Sequence, residues 1–251
     1  MKSAPFEYAR PTTLTEALDL LDRHGEDCKP LAGGQSLVPL LAMRLARPSL
    51  LVDLDRVPEL RGFSAERVGA MATNAQLERR AGDLPPVIAA ALPHIGHFQI
   101  RNRGTVGGSL AHLDPAGEWP ALALLLEAEL TVESKRLGRR TLSAGQFMRG
   151  PMTTALGADE LLVAVSWPRW PAGARWAFAE VARRPGDFAL AGAACTVIAG
   201  RTRAVVFAVG PLPQLAGDGD FEVTGDLHAS AAYRREVGKR LLDRVMTQAA
   251  M

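Results

Sequence analysis

Two glycine clusters constrain this chain more than any other feature. One, Leu31-Ala32-Gly33-Gly34-Gln35-Ser36-Leu37, stands between a β-like run and an apolar helical run. The other, Arg103-Gly104-Thr105-Val106-Gly107-Gly108-Ser109, leads into Asp114-Pro115-Ala116-Gly117-Glu118. Paired glycines let a backbone turn with positive φ and bring bare N–H groups close to an anion. A following helix offers its N-terminus to the same anion, and Ser36 adds a hydroxyl donor. That chemistry suits a pyrophosphate, with a tight structural turn as the plainer alternative. Glu118 can accept hydrogen bonds from a ribose diol, or serve as a solvated acid at a helix start. Neither cluster contains Lys, no GxxxxGK motif is present, and no GxGxxG follows a strand. A P-loop and a Rossmann site are therefore excluded.

The patterning around the clusters predicts mixed α and β structure. A short N-terminal strand precedes a helix over Leu14–His24, capped by Thr13 with Glu16 three residues on, and stopped by Gly25. Lys29–Ala32 reads as a strand, Leu37–Leu45 as a helix and Leu50–Leu54 as a strand, which makes a small β-α-β-α-β unit. Strands are expected at Arg67–Met71, Leu130–Glu133, Arg139–Leu142 and Leu161–Val165, and helices at Thr73–Leu77, Pro86–Ala91 and Glu118–Leu126. Trp170-Pro171-Ala172-Gly173 is punctuated like a linker. Beyond it, Trp176–Ala182, Leu190–Ile198 and Ala204–Val209 read as strands, and His228–Ala250 as an amphipathic helix burying Val237, Leu241, Leu242 and Val245.

Most other chemistries find no residues to carry them. Cys28 and Cys195 are the only cysteines and form no CxxC, so a four-cysteine iron–sulfur or zinc site cannot be built here. His94 and His97 are three apart without an obvious third ligand, and no HExxH or GxSxG occurs. Lys and Arg number 29 against 27 acidic residues, too even a balance for a nucleic-acid footprint. Met1–Arg10 has no apolar signal region, and the run Ala121–Leu126 is too short to span a bilayer. No membrane segment and a cytoplasmic location are expected.

Three motifs together resemble the FAD-binding medium subunit of the molybdenum hydroxylases. This is the group of carbon monoxide dehydrogenase and the flavin domain of xanthine dehydrogenase. They are Ala32–Ser36, Gln99–Leu110 (QIRNRGTVGGSL) and Ala182–Ala189 (ARRPGDFA). Their order and spacing run from about residue 3 to about 247. The resemblance implies an α+β fold: a two-part FAD-binding domain of the vanillyl-alcohol-oxidase type over 1–170, with subdomains 1–54 and 55–170, then a small C-terminal α/β domain over 171–251. It implies that residues 32–36 wrap the FAD pyrophosphate by backbone amides. Thr105, Gly108 and Ser109 would line its other side, and Leu161 and Leu162 would lie against a ring of the cofactor. The full implied contact set is Lys29, Leu31, Ala32, Gly33, Gly34, Gln35, Ser36, Leu37, Ile100, Gly104, Thr105, Gly107, Gly108, Ser109, Asp114, Glu118, Leu161 and Leu162.

Three departures from the family pattern stand out. Glu118 sits where a shorter acid is usual. Some relatives carry a lysine near the flavin at the position of Ala179. The C-terminal domain is shortened, with glycine-rich 210–225 in place of a longer helical excursion. The resemblance implies an electron-transfer subunit, with no catalytic residues of its own for hydroxylation. A large partner would hold molybdopterin and a small partner 2Fe–2S clusters, in a doubled heterotrimer, with electrons leaving this FAD for an external acceptor. Trp119, Trp167, Trp170 and Trp176 read as core or interface residues, and Trp119 and Trp170 are the candidates for apolar surface left open to those partners. A stand-alone FAD oxidase or reductase is the alternative.

Overall fold

The structure is a computed structural model that describes residues 2–216 and 220–251. It opens with β1 (Glu7–Ala9), α1 (Leu14–His24), β2 (Cys28–Leu31), α2 (Leu37–Ala42) and β3 (Leu50–Asp53). The three strands form a parallel sheet in the order β1-β3-β2. All four β3 residues are buried, as expected for the central strand of a sheet covered on both faces. In α1, Leu14, Ala17, Leu18 and Leu21 make the buried stripe. Thr13 caps the helix through the Glu16 N–H, but the Glu16 carboxylate accepts from the Thr12 N–H rather than closing a capping box. Helix α2 ends at Ala42, short of the expected Leu45. Arg44 takes a φ of 59°, and the N–H groups of Leu45 and Ala46 turn back to the Leu40 carbonyl.

The middle of the chain contains β4 (Arg67–Gly69), α3 (Asn74–Glu78), α4 (Pro86–Ala91), α5 (Phe98–Arg101), α6 (Val106–His112) and α7 (Glu118–Leu125). Then come β5 (Glu129–Ser134), β6 (Gly138–Ser143), α8 (Ala144–Phe147), β7 (Met148–Gly150), β8 (Thr153–Thr154) and β9 (Glu160–Ser166). Strands β4, β9, β5 and β6 form an antiparallel sheet in that order. Helix α7 is apolar around its circumference and is correspondingly buried from Glu118 to Ala123. Trp119 is 1% exposed and donates from Nε1 to Asn74 Oδ1 at 2.8 Å. Its expected role as open surface is therefore wrong, and Trp170 is half-buried against the same core.

The last section is β10 (Arg175–Ala182), β11 (Ala189–Ile198), β12 (Arg201–Phe207), β13 (Gln214–Leu215) and α9 (Ala231–Ala250). The four strands make an antiparallel sheet in chain order, and α9 packs across it through Leu241, Leu242, Val245 and Ala249. Strand alternation divides β10. Ala177, Ala179 and Val181 join the core under α9, whereas Phe178 and Glu180 face the preceding part of the chain. A side chain at 179 is thus directed toward α9, and the residue facing the rest of the protein is Glu180. Within the glycine-rich 210–225 segment, residues 217–219 lie outside the described residues.

Candidate functional site

The fold brings the two glycine clusters into direct contact. An ideal Cβ on Gly33 would stand 2.0 Å from the Arg103 carbonyl oxygen, and one on Gly108 would stand 3.5 Å from the Ala32 Cβ. Gly33 is therefore glycine because the two backbones touch, while Gly34 has a φ of +75°. On the second cluster's side, Thr105 bridges to Thr73, and the Asn74 N–H donates to the Gly104 carbonyl at 3.0 Å.

Their hydrogen bonding differs sharply. The second cluster is not a loop, as its glycines suggested, but the start of α6. There the Val106 N–H donates to Ala72, Gly107 to Ala70, Gly108 to the Thr105 hydroxyl, and Ser109 to the Thr105 carbonyl, at 2.8–3.0 Å. Gly107 is needed because its Cβ would meet the Ala70 Cβ at 2.4 Å. Every amide of that first turn is occupied, and Thr105 is a buried helix cap. In the first cluster, by contrast, the N–H groups of Gly33, Gly34, Gln35, Ser36 and Leu37 donate no hydrogen bond among the described residues. The Ser36 hydroxyl makes no cap bond either. Residues 33–37 are half-buried or exposed, so these five consecutive amides are open from the surface and available to an anion as a cradle.

The surroundings are cationic. A cavity of about 230 Å³ at the junction is lined by Gly33, Thr105, Asp55, Arg61, Arg79 and Arg103, among others. Burial would raise the Asp55 carboxyl, but its hydrogen bond from Arg10 and the charges of Arg61, Arg10 and Arg103 hold it below the usual range. Such a field favours a diphosphate.

The other expected contacts are spread unevenly. Leu31, Ala32, Gln35, Ser36 and Leu37 lie at or beside the cradle, and Lys29 is exposed on β2. Ile100, on α5, packs beneath Gly96 and Gly104. Ser109 is half-buried on α6, and Asp114 is engaged by the Ala116 N–H. Leu161 and Leu162 do not share a site through their side chains: neighbours on β9, they are buried in different cores on its two faces.

Glu118 is 4% exposed, so it is not a solvated helix-start acid. Burial first, then the charge of Glu180, push its carboxyl up to about 8. Sequence reasoning missed its neighbours. Glu180 Oε1 lies 3.1 Å from His94 Nδ1, and that hydrogen bond raises the His94 imidazole above its ordinary value. The one legible signal was a charged residue sharing a strand face with Phe178. Among the described residues no group of three or more His, Cys, Asp or Glu is placed to hold a metal. No helix among them is long and apolar enough to cross a membrane.

Residues 4–170 match the family described as the FAD binding domain in molybdopterin dehydrogenase. The nicotine 6-hydroxylase medium subunit of Paenarthrobacter nicotinovorans is 39% identical, with 99% of each chain covered. Carbon monoxide dehydrogenase from Hydrogenophaga pseudoflava superimposes with a TM-score of 0.94 at 32% identity, covering 100% of this chain and 99% of that one. Quinoline 2-oxidoreductase from Pseudomonas putida 86 gives 0.91 at 37% identity, covering 100% and 98%.

Proposed function

The chain belongs to the family of the FAD-binding domain in molybdopterin dehydrogenase, and on that premise we propose that its Gly33–Leu37 amides hold the FAD diphosphate. The observation that carries this reading is the run of five backbone donors without a protein acceptor, beside a second cluster whose donors are all used. Ser36 adds a hydroxyl, and Arg61 and Arg103 supply positive field across the junction. Helix α6 contributes shape: it fixes Gly104–Thr105 against Gly33 and so sets the width of the cleft. Bound FAD supplies two-electron storage with release of electrons singly or as a pair, and the protein's part is to position it and control access to it.

The chain is an oxidoreductase subunit with FAD as its cofactor. Its relatives are named as medium chains or medium subunits, so it works within a multi-subunit assembly. We propose the finer arrangement as a large molybdopterin subunit, a small 2Fe–2S subunit and this chain, doubled by two-fold symmetry in the cytoplasm. We propose domain limits at about 170, with a subdivision near 54; the core under α1 also takes in Val57, Leu60, Met71, Leu161 and Val163, and the core around α7 takes in Ala189, Ala194, Val205 and Phe207, so the parts share their cores across both limits. Val38, Met43 and Leu45, 51%, 49% and 72% exposed beside the cradle, give apolar surface for the electron-donating partner. The test is co-expression with the neighbouring genes. Molybdenum and iron co-eluting with this chain are expected, whereas a metal-free monomer that turns over substrate alone would refute the assignment.

A further inference from the structure

Past the diphosphate cradle the cleft continues into a second concavity of about 250 Å³. The two share Arg61, Gln76 and Arg79, but no residue of Gly33–Leu37 lines the second. Its floor is Ala72 and Leu77, both buried, and its wall is the half-buried ring of Phe63. The Arg80 guanidinium stands over that ring, 4.0 Å from its centroid. Four arginines, Arg61, Arg79, Arg80 and Arg103, thus line one continuous groove.

The acid that lines it with them is Asp55, which is shared between Arg10 at 2.5 Å and Arg61 at 2.8 Å. Asp83, outside the groove, pairs with Arg80 at 3.0 Å. Arg79 and Arg103 are left without a carboxylate partner among the described residues. Guanidiniums gathered in a concavity repel one another unless an anion joins them, and each presents a planar fork matched to a carboxylate or a phosphate. The second concavity decides between a nucleotide and a peptide. It offers a base no free side-chain acceptor, because Gln76 Oε1 already accepts from the Thr73 N–H at 2.9 Å. The N–H groups of a base would be stranded there. An apolar side chain would instead lie between Phe63 and Leu77 with cations around it, the arrangement of an interface anchor with a charged rim.

We propose that this groove receives an acidic segment of a partner subunit, which seats one apolar side chain against Phe63 and Leu77 and sets carboxylates on Arg79 and Arg80. The proposal rests on the chain's place in a multi-subunit assembly. The apolar side chain anchors the segment, and the carboxylates give it register and a salt-sensitive association. The groove runs into the cradle at Arg103, whose carbonyl packs against Gly33, so the docked segment ends beside the cofactor.

The test uses the FAD-loaded complex co-expressed with its partner subunits. Arg79→Lys puts a reactive amine on the rim, and a zero-length carbodiimide reagent joins amines to carboxylates in contact with them. Mass spectrometry is expected to find position 79 joined to an Asp or Glu of a partner subunit that neighbours an aromatic or aliphatic residue. Arg80, exposed and lining only the second concavity, supplies the second variant. Arg80→Glu is expected to keep its flavin-to-protein ratio while the complex dissociates about tenfold more readily, with a smaller salt dependence. The peptide Glu-Glu-Phe-Glu-Glu is expected to weaken the wild-type complex. If molybdenum and iron still co-elute but position 79 is joined only within this chain, to a second copy of it, or to nothing, the proposal is overturned and the assembly stands. An Arg80→Glu complex as tight as wild type overturns it as well. Weakening of the complex by ADP and not by the peptide would overturn it in favour of a nucleotide.

Discussion

Gly33→Ala is the perturbation that separates loop packing from simple turn chemistry. The new Cβ would sit 2.0 Å from the Arg103 carbonyl oxygen, where ordinary contact begins at 3.4 Å, so the two backbones must part by about 3.4 − 2.0 = 1.4 Å. Both sides are backbone, and no side-chain rotation relieves the clash. Overpacking of this kind costs about 1–3 kcal/mol of stability. The same displacement carries donor groups out of hydrogen-bond range of a diphosphate. Losing two charge-assisted bonds of about 1.5–3 kcal/mol each weakens FAD binding by about two to four orders of magnitude. Gly34→Ala is the control. Its φ of +75° strains an alanine by about 1–2 kcal/mol, but its new Cβ meets only the movable side chains of Val38 and Leu31, at 3.1 and 3.4 Å. The assay is quenching of flavin fluorescence on titrating FAD into deflavinated protein, with thermal melts of each variant. Gly33→Ala should bind far more weakly than Gly34→Ala. A Gly33→Ala variant with wild-type Kd and melting temperature, or one that outperforms Gly34→Ala, would refute the reasoning.

Three further outcomes are expected. Trp119→Phe strands the buried Asn74 side chain and should cost about 1–3 kcal/mol in denaturant melts, although position 119 stays aromatic. Thr105→Ala removes a helix cap and should cost about 1 kcal/mol of stability, while FAD Kd is expected to stay within about tenfold, since the α6 amides already have acceptors within the protein. The hydrogen bonds from Arg140 hold the Glu160 carboxyl below its ordinary 4.5, so the pair's contribution is present above that value and lost as pH falls through the lowered one. Glu160→Gln should therefore flatten the acid limb of the stability profile in urea melts, at a cost of about 1–2 kcal/mol at neutral pH.

Much of the fold was legible because its signals are local. Thr13 caps α1, Pro86 opens α4, alternation marks β5 and a continuous apolar run marks β9, within a residue or two of the expected limits. The misreadings share a cause in contacts distant along the chain. Val106-Gly107-Gly108 reads as a loop by composition, yet it is helical because Gly107 packs against Ala70, which is invisible to any local pattern. Trp119 was expected to be open to partners, but α7 is buried on every side and Asn74 satisfies its indole. At the candidate site the glycine pair pointed to the cradle, but which cluster keeps its amides unengaged depends on Ala70, Ala72 and the Thr105 hydroxyl. Glu180 escaped notice because its partner, His94, lies far from it in sequence.

The central claim is that backbone amides of the first cluster, and not those of the second, hold the cofactor's diphosphate. Residue-resolved amide exchange with and without FAD tests it most directly. The account predicts strong protection of Gly33–Leu37 on FAD addition, and little change at Val106–Ser109, whose N–H groups are already bonded within the protein. New protection at Val106–Ser109 with unaltered exchange at Gly33–Leu37 would contradict it.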